Sequence, residues 1–279
     1  MKVLLLGASG FVGRHLAAAL RRRGDEVATA SLRDPSSAAA TALDCDAIVN
    51  LAGESIAQRW NDDVKRRIET SRIAAPHAFL NELERQERRT SVYVSASAIG
   101  YYGTSETATF DEKSPPGDDF LARVCTRWER VAASAAALHM RVAIVRTGIV
   151  LGTDGGALAT MLVPFRLGLG GIAGSGRQWY SWIHIADLAG IYLLALDSAA
   201  GALNGCSPNP VTNAEFTHAL GVALHRPTIL RTPAFALRAM LGEGATIALE
   251  GQRVLPKRTQ ECGYRFEFPL LSGALANLL

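Results

Sequence analysis

The sequence predicts an α/β protein: a doubly wound parallel sheet with helices on both faces and a smaller lobe toward the C-terminus. Three observations carry that expectation. Short apolar runs rich in Val, Ile and Leu alternate with helix-type segments through the first half of the chain, the pattern of parallel strands joined by crossover helices. The glycine triplet Gly7-Ala8-Ser9-Gly10-Phe11-Val12-Gly13 stands between the first such run and the first helical segment. From Gly152 onward, glycine clusters and the prolines Pro164, Pro208 and Pro210 break the alternation.

The first strand is Val3 to Leu6, and the glycine turn feeds it into a helix from Arg14 to Arg23. Each glycine has its own reason: Gly7 permits the tight turn, Gly10 leaves room for a pyrophosphate, and Gly13 lets the helix pack on the strand. The helix N-terminus then offers unpaired N–H groups and partial positive charge to the phosphates. Gly24-Asp25 leads into a second strand, Val27 to Leu32, and further strands follow at Ala47 to Leu51, Ser91 to Ser95 and Arg141 to Arg146. Helical segments run from Asn61 to about Arg85, from Phe120 to His139 and from Asp187 to Leu196. Roughly fourteen residues, mostly Ser, Ala and Thr, separate the second strand from Ala47, and a parallel crossover alone takes about 10–12. A third strand is therefore degenerate or missing, and the adenine pocket more open than usual. Toward the C-terminus, Ala234 to Leu241 reads as a helix, Gln252 to Pro256 as a short strand, Gly263 to Pro269 as an edge strand ended by proline, and Leu270 to Leu279 as a terminal amphipathic helix.

At 279 residues the chain has room for one α/β domain and an appendage. The expected division is a nucleotide-binding domain over 1–151, continued by about 183–200, with 152–182 and 201–279 forming a small substrate lobe. A hydrophobic share of 48%, a charged share of 20% and a net charge of +3 describe an ordinary globular protein. The basic run Arg21-Arg22-Arg23 ends a helix, where cations complement the dipole. No nucleic-acid partner is expected. No apolar stretch is long enough to span a bilayer, and the four cysteines show neither paired nor metal-ligand spacing. These features point to a cytoplasmic protein with reduced thiols, no membrane partner and no metal.

The glycine turn selects a dinucleotide, and the end of the second strand selects which one. NAD sites place an Asp or Glu there for the ribose 2′-hydroxyl. Here the run is Thr29-Ala30-Ser31-Leu32-Arg33, and Arg33 suits the 2′-phosphate of NADP(H), although Asp34 follows directly.

Several strings together resemble the extended short-chain dehydrogenase/reductases: the glycine turn, Asn50-Leu51-Ala52-Gly53, Ser95-Ala96-Ser97-Ala98, Arg146-Thr147-Gly148 and Trp182-Ile183-His184-Ile185-Ala186-Asp187. Within that superfamily, Asn50 to Glu54, Arg59-Trp60, Ala98 to Gly103, Pro164 to Gly171, Thr212 to Phe216 and Leu249 to Arg253 resemble the YfcH-type epimerase family proteins. That resemblance implies a Rossmann domain binding NADP(H), a small C-terminal domain of unknown function, and an epimerase or oxidoreductase activity. The cofactor-binding set it implies, with the glycine turn, is Gly7, Ser9, Gly10, Phe11, Val12, Gly13, Ser31, Arg33, Leu51, Ala52, Gly53, Glu54, Arg59, Ser95, Ile149 and Val150. Homodimers are common in the superfamily.

Active members use a Ser or Thr with a Tyr and a Lys four residues apart on one helix face. Aligned on Glu129, the Tyr and Lys positions fall at Leu121 and Cys125, so the usual pair is absent. Ser97 matches the superfamily serine. Tyr101 and Tyr102 are the candidates for a relocated acid, or for an aromatic lid over the nicotinamide. His184 reads as a buried hydrogen-bonding histidine, with Asp187 capping the next helix. The glycine-rich stretch Gly168 to Gly176, followed by Arg177, Trp179, Tyr180 and Trp182, suggests a lobe over a small-molecule substrate, with Arg166, Arg177 or Arg253 pairing a phosphate or carboxylate. Loss of the Tyr/Lys pair favours reduction of a simple carbonyl or alkene over sugar epimerisation. A non-catalytic NADP(H) sensor or interaction protein is the alternative.

Overall fold

The computed structural model describes residues 1–86 and 90–279. Strand β1 (Lys2–Leu6) is wholly buried after its first residue, and β3 (Ala47–Asn50) is buried throughout. Such continuous apolar runs belong to central strands of a parallel sheet, covered on both faces. With β2 (Glu26–Ala30), β4 (Val92–Ala98), β6 (Arg141–Thr147) and the strand Gly201–Gly205, they form a six-stranded sheet in the order β2-β1-β3-β4-β6-(201–205). All its pairings are parallel.

Side chains alternate between two cores. Val3, Leu5 and Val49 point to one face, against α1 (Phe11–Arg23) and the helix Ile185–Asp197. Leu4, Leu6 and Ile48 point to the other, against α2 (Pro35–Ala42), α4 (Ala75–Glu84) and α5 (Phe120–Ser134).

The short spacing after β2 is explained by α2. Asp34 caps this eight-residue helix by accepting from Ser37 N at 3.0 Å, Pro35 occupies its first position, and the chain passes directly to β3 on the far side of β1. Among the described residues no strand lies outside β2 in the main sheet, so the third strand expected there is missing.

Between α3 (Asp62–Glu69) and α4 the helix passes through a π turn, Thr70–Ala74. β4 extends three residues past Ser95, so Ser97 lies inside the strand rather than after it. Gly201–Gly205 completes the main sheet, although from sequence it falls in the smaller lobe; its glycines at both ends and an Asn within obscure the strand pattern. A third core gathers Leu151, Leu158, Leu162, Phe165, Trp182 and Phe216 with the terminal helix Leu271–Leu278. The expected helix Ala234–Leu241 is present, and Arg253–Val254 pairs with β5 (Thr109–Phe110).

The stretch from Gly263 to Pro269 is irregular, where sequence alternation suggested an edge strand. Two of its backbone donors go to a carboxylate instead of a neighbouring strand: Asp187 Oδ1 accepts from Glu267 N at 2.8 Å and Oδ2 from Phe268 N at 3.0 Å. Tyr264 Oη donates to Asp187 Oδ1 at 3.0 Å. Asp187 is therefore not the helix cap; His184 is, its Nδ1 accepting from Ala186 N at 3.1 Å. Among the described residues no helix is long and apolar enough to cross a membrane.

Candidate functional site

A cleft of about 1100 Å³ opens at the carboxyl ends of β1, β2 and β3, the ligand position of a doubly wound sheet. Residues 7–10, 29–33 and 51–54 form its walls, with Asp63, Arg66, Arg67, Thr70, Ser71 and Ala75 from the α3–α4 helix opposite. Gly7 has a φ of +83°, and a Cβ there would fall 2.8 Å from the Leu51 carbonyl carbon, so only glycine turns the chain here. A Cβ on Gly13 would sit 2.2 Å from Gly7 O, which fixes how closely α1 packs on the turn. Gly10 is the N-cap of α1; no side chain caps it and no acid occupies the first turn. The helix end is left with free donors and its dipole facing the cleft, a fit for an anionic diphosphate.

Ser31 and Arg33 lie on the wall together, with Ser31 Oγ accepting from Arg33 N at 3.2 Å. The Arg33 guanidinium has no acidic partner among the described residues, and Asp34 is committed to capping α2. On the next loop Glu54 N donates to Ser71 Oγ at 2.9 Å, while Glu54 Oε1 accepts from Gln58 at 3.1 Å and stands 3.5 Å from Arg67 Nε.

The implied cofactor-binding set divides. Gly7, Ser9, Gly10, Ser31, Arg33, Leu51, Ala52, Gly53 and Glu54 line the cleft. Phe11 packs instead on Gly155, where a Cβ would come within 2.7 Å of the ring, and Val12 and Val150 pack against the sheet core. Ile149 packs on the third core and Ser95 is buried, its Oγ donating to Ala96 O at 2.9 Å. Arg59 reaches away, donating to Ala239 O at 3.2 Å.

The candidate catalytic residues surround a buried ion pair. Arg146 donates to Glu129 through Nε and Nη2, each at 2.8 Å. Ser97 Oγ donates to Glu129 Oε1 at 2.7 Å. Tyr102 Oη accepts from Arg146 Nη1 at 2.9 Å and donates to Asn204 Oδ1 at 2.7 Å, and burial pushes its pKa well up. Tyr101 differs: its ring lies 3.5 Å from the Arg146 Cζ, and its hydroxyl has no hydrogen bond to a described residue. Leu121 and Cys125 face Gly100, where a Cβ would fall 3.3 Å from Leu121 Cβ and 4.0 Å from Cys125 Sγ. Burial, reinforced by Glu129, pushes the Cys125 thiol up to about 12, so it stays protonated.

The aromatic run after Gly176 is largely structural. Tyr180 and Trp182 belong to the third core, and Trp179 Nε1 donates to Glu106 O at 2.9 Å. Sequence reasoning missed Arg66, Arg67 and Ser71, which line the cleft. Their one signal is the pair of polar doublets Arg66-Arg67 and Ser71-Arg72 in an otherwise amphipathic helix.

Comparison with known proteins agrees with this geometry. The NAD dependent epimerase/dehydratase family matches residues 3–205, and a domain of unknown function, DUF1731, matches residues 232–278. The mouse epimerase family protein SDR39U1 is 42% identical over 294 residues, covering 100% of both chains. The crystal structure of human SDR39U1 (isoform 2) with NADPH superposes with a TM-score of 0.91 at 38% identity, covering 100% of this chain and 99% of that one. The UDP-glucose 4-epimerase of Thermus thermophilus, solved with NAD, shares the fold at a TM-score of 0.80 with 18% identity, over 100% of this chain and 98% of the other.

Proposed function

The chain belongs to the NAD dependent epimerase/dehydratase family, and from that premise we propose that it is an NADP(H)-dependent oxidoreductase reducing a carbonyl or alkene of a small molecule. One juxtaposition carries the reading: the uncapped N-terminus of α1 and the unpaired Arg33 lie on the same cleft wall. The first suits a diphosphate and the second a 2′-phosphate at the other end of the nucleotide. The human relative crystallised with NADPH supports the same choice of cofactor. Four cysteines without disulfide partners support a cytoplasmic setting.

Bound NADPH supplies the hydride. The α1 N-terminus neutralises diphosphate charge, Arg33 holds the 2′-phosphate, and the loop Leu51–Glu54, fixed by Ser71, shapes the wall between them. Tyr101 Oη, free of internal hydrogen bonds, is the proposed proton donor to the reduced group. Ser97 and Tyr102 act through the Arg146–Glu129 pair, which orders the turn carrying Tyr101.

A second reading, an NADP(H) sensor without turnover, draws on Leu121 and Cys125, two side chains unable to transfer a proton at neutral pH. Fluorescence titration with NADPH and NADH, followed by NADPH oxidation over a panel of carbonyl and enone compounds, separates the two. NADPH binding at least tenfold tighter than NADH, with turnover of a panel member, is the expected result. Tight binding without turnover across the panel favours the sensor, and no binding of either nucleotide overturns both.

A further inference from the structure

Arg72 sits in the π turn and has no counter-ion among the described residues. A Cβ on Gly53 would lie 3.1, 3.2 and 3.3 Å from its Cζ, Nη2 and Nη1. Near-equal distances to three atoms of one plane mean that Gly53 covers a face of the guanidinium. The Cζ is also 5.2 Å from the centre of the Trp128 ring, a cation–π contact. Intramolecular acceptors are poor: Nη1 reaches Ile68 O at 3.5 Å and Ser71 Oγ at 3.4 Å, both at the limit for a hydrogen bond. Nε and Nη2 have no hydrogen-bond acceptor among the described residues. The carboxylate of Glu54, which acts on Arg72 electrostatically, is already engaged by Gln58 and Arg67. A second donor beside it is orphaned, for the indole Nε1 of Trp128 is buried with no hydrogen-bond partner among the described residues.

A guanidinium drawn out of water without an anion is costly, and its uncovered edge is a rigid fork of N–H donors. What satisfies such a fork is a group with two coplanar oxygens, presented edge-on. The cofactor's own anions have other places, at the α1 N-terminus and Arg33. Arg72 lies beyond them, between the Leu51–Glu54 loop and α5, close enough to Cys125 for each to shift the other's titration. That is the helix position where the superfamily lysine is missing.

We propose that Arg72 is the docking residue for an oxyanion group, a carboxylate or phosphate, on the substrate of the reductase proposed above. The substrate class narrows accordingly to acidic carbonyl or enone compounds. The inference rests on the NADP(H) reading only for the identity of the second ligand.

The test uses the full-length protein and its Arg72→Met and Arg72→Lys variants, with calorimetric titration of oxalate and of inorganic phosphate, each with and without saturating NADP⁺. Titration with NADPH is run in parallel, and thermal melting checks the fold. Oxalate or phosphate is expected to bind the wild type, more than tenfold more weakly to Arg72→Met, and at intermediate strength to Arg72→Lys, which keeps the charge but loses the fork. NADPH affinity is expected to stay within about threefold in both variants. Equal loss of NADPH binding in Arg72→Met would assign the guanidinium to the cofactor and overturn the proposal. So would failure of both probes to bind the wild type, or binding that Arg72→Met leaves unchanged. If NADPH fails to bind the wild type while the cofactor-free anion titration still depends on Arg72, the cofactor reading falls and the anion site stands.

Discussion

Arg146 and Glu129 meet in a two-pronged ion pair, Nε to Oε1 and Nη2 to Oε2, each 2.8 Å, with neither residue more than 9% exposed. Ser97 and Tyr102 hang from the same pair. Removing one partner leaves the other charge buried and alone, so Glu129→Ala is expected to cost about 3–5 kcal/mol in urea unfolding.

The two adjacent tyrosines separate by the same logic. Tyr102→Phe strands Asn204 Oδ1 and one donor of Arg146, and is expected to lower stability by about 1–3 kcal/mol. Tyr101→Phe strands nothing and is expected to leave unfolding unchanged while abolishing turnover. Unfolding curves and NADPH oxidation, run on both variants, check the split; unchanged turnover in Tyr101→Phe would remove it as the proton donor.

Arg33 has no competing partner, so its contribution appears in the ligand. Arg33→Ala is expected to weaken NADPH by about 10–100-fold, the worth of a charged hydrogen bond of ~1.5–3 kcal/mol, and to leave NADH within about twofold. Gly10→Val, which fills the approach to the α1 N-terminus, is expected to abolish binding of both nucleotides. Fluorescence titration reads all four affinities.

His184 makes stability depend on pH. Burial lowers its pKa below the ordinary histidine value, against an opposing pull from Asp187, and its Nδ1 must stay unprotonated to cap the helix. The unfolded chain therefore binds a proton at higher pH than the folded one, and stability falls as pH drops through about 6.5, the unfolded value. Melting temperature is expected to decline from pH 7.5 to 5.5, and His184→Asn, a neutral cap, to flatten the decline.

Local patterns in the sequence were sufficient where local physics decides. The glycine turn, the buried runs of β1 and β3, and the missing third strand all follow from residues within one crossover of each other. The end of β4, the cap role of His184 and the irregular Gly263–Pro269 stretch do not. The last two depend on Asp187 meeting donors 77 to 81 residues away, and alternation cannot tell a strand from a segment pinned by a carboxylate. At the site, the cleft walls formed by the glycine turn and the end of β2 were legible because glycine and arginine there have few other reasons to be present. Arg72 was not: Pro76, with no N–H for the Arg72 carbonyl, marks a break in its helix, but the sequence does not say where that break turns the Arg72 side chain.

That departure has a consequence for the whole helix. In an unbroken α-helix, Val64, Ile68, Phe79 and Leu83 would share one stripe, since eleven residues make close to three turns. They do not share a core: Val64 and Ile68 pack with Trp60 and Val124, whereas Phe79 and Leu83 pack beneath the sheet. The π turn inserts about one residue of phase, near 100° of rotation, between the two pairs. It is a frameshift written in three dimensions, letting one helix read into two hydrophobic cores. Deleting a single residue between Thr70 and Ala74 would remove the π turn and keep the offset, because ten α-helical residues leave Ile68 and Phe79 about 80° apart, and each pair would still face its own core.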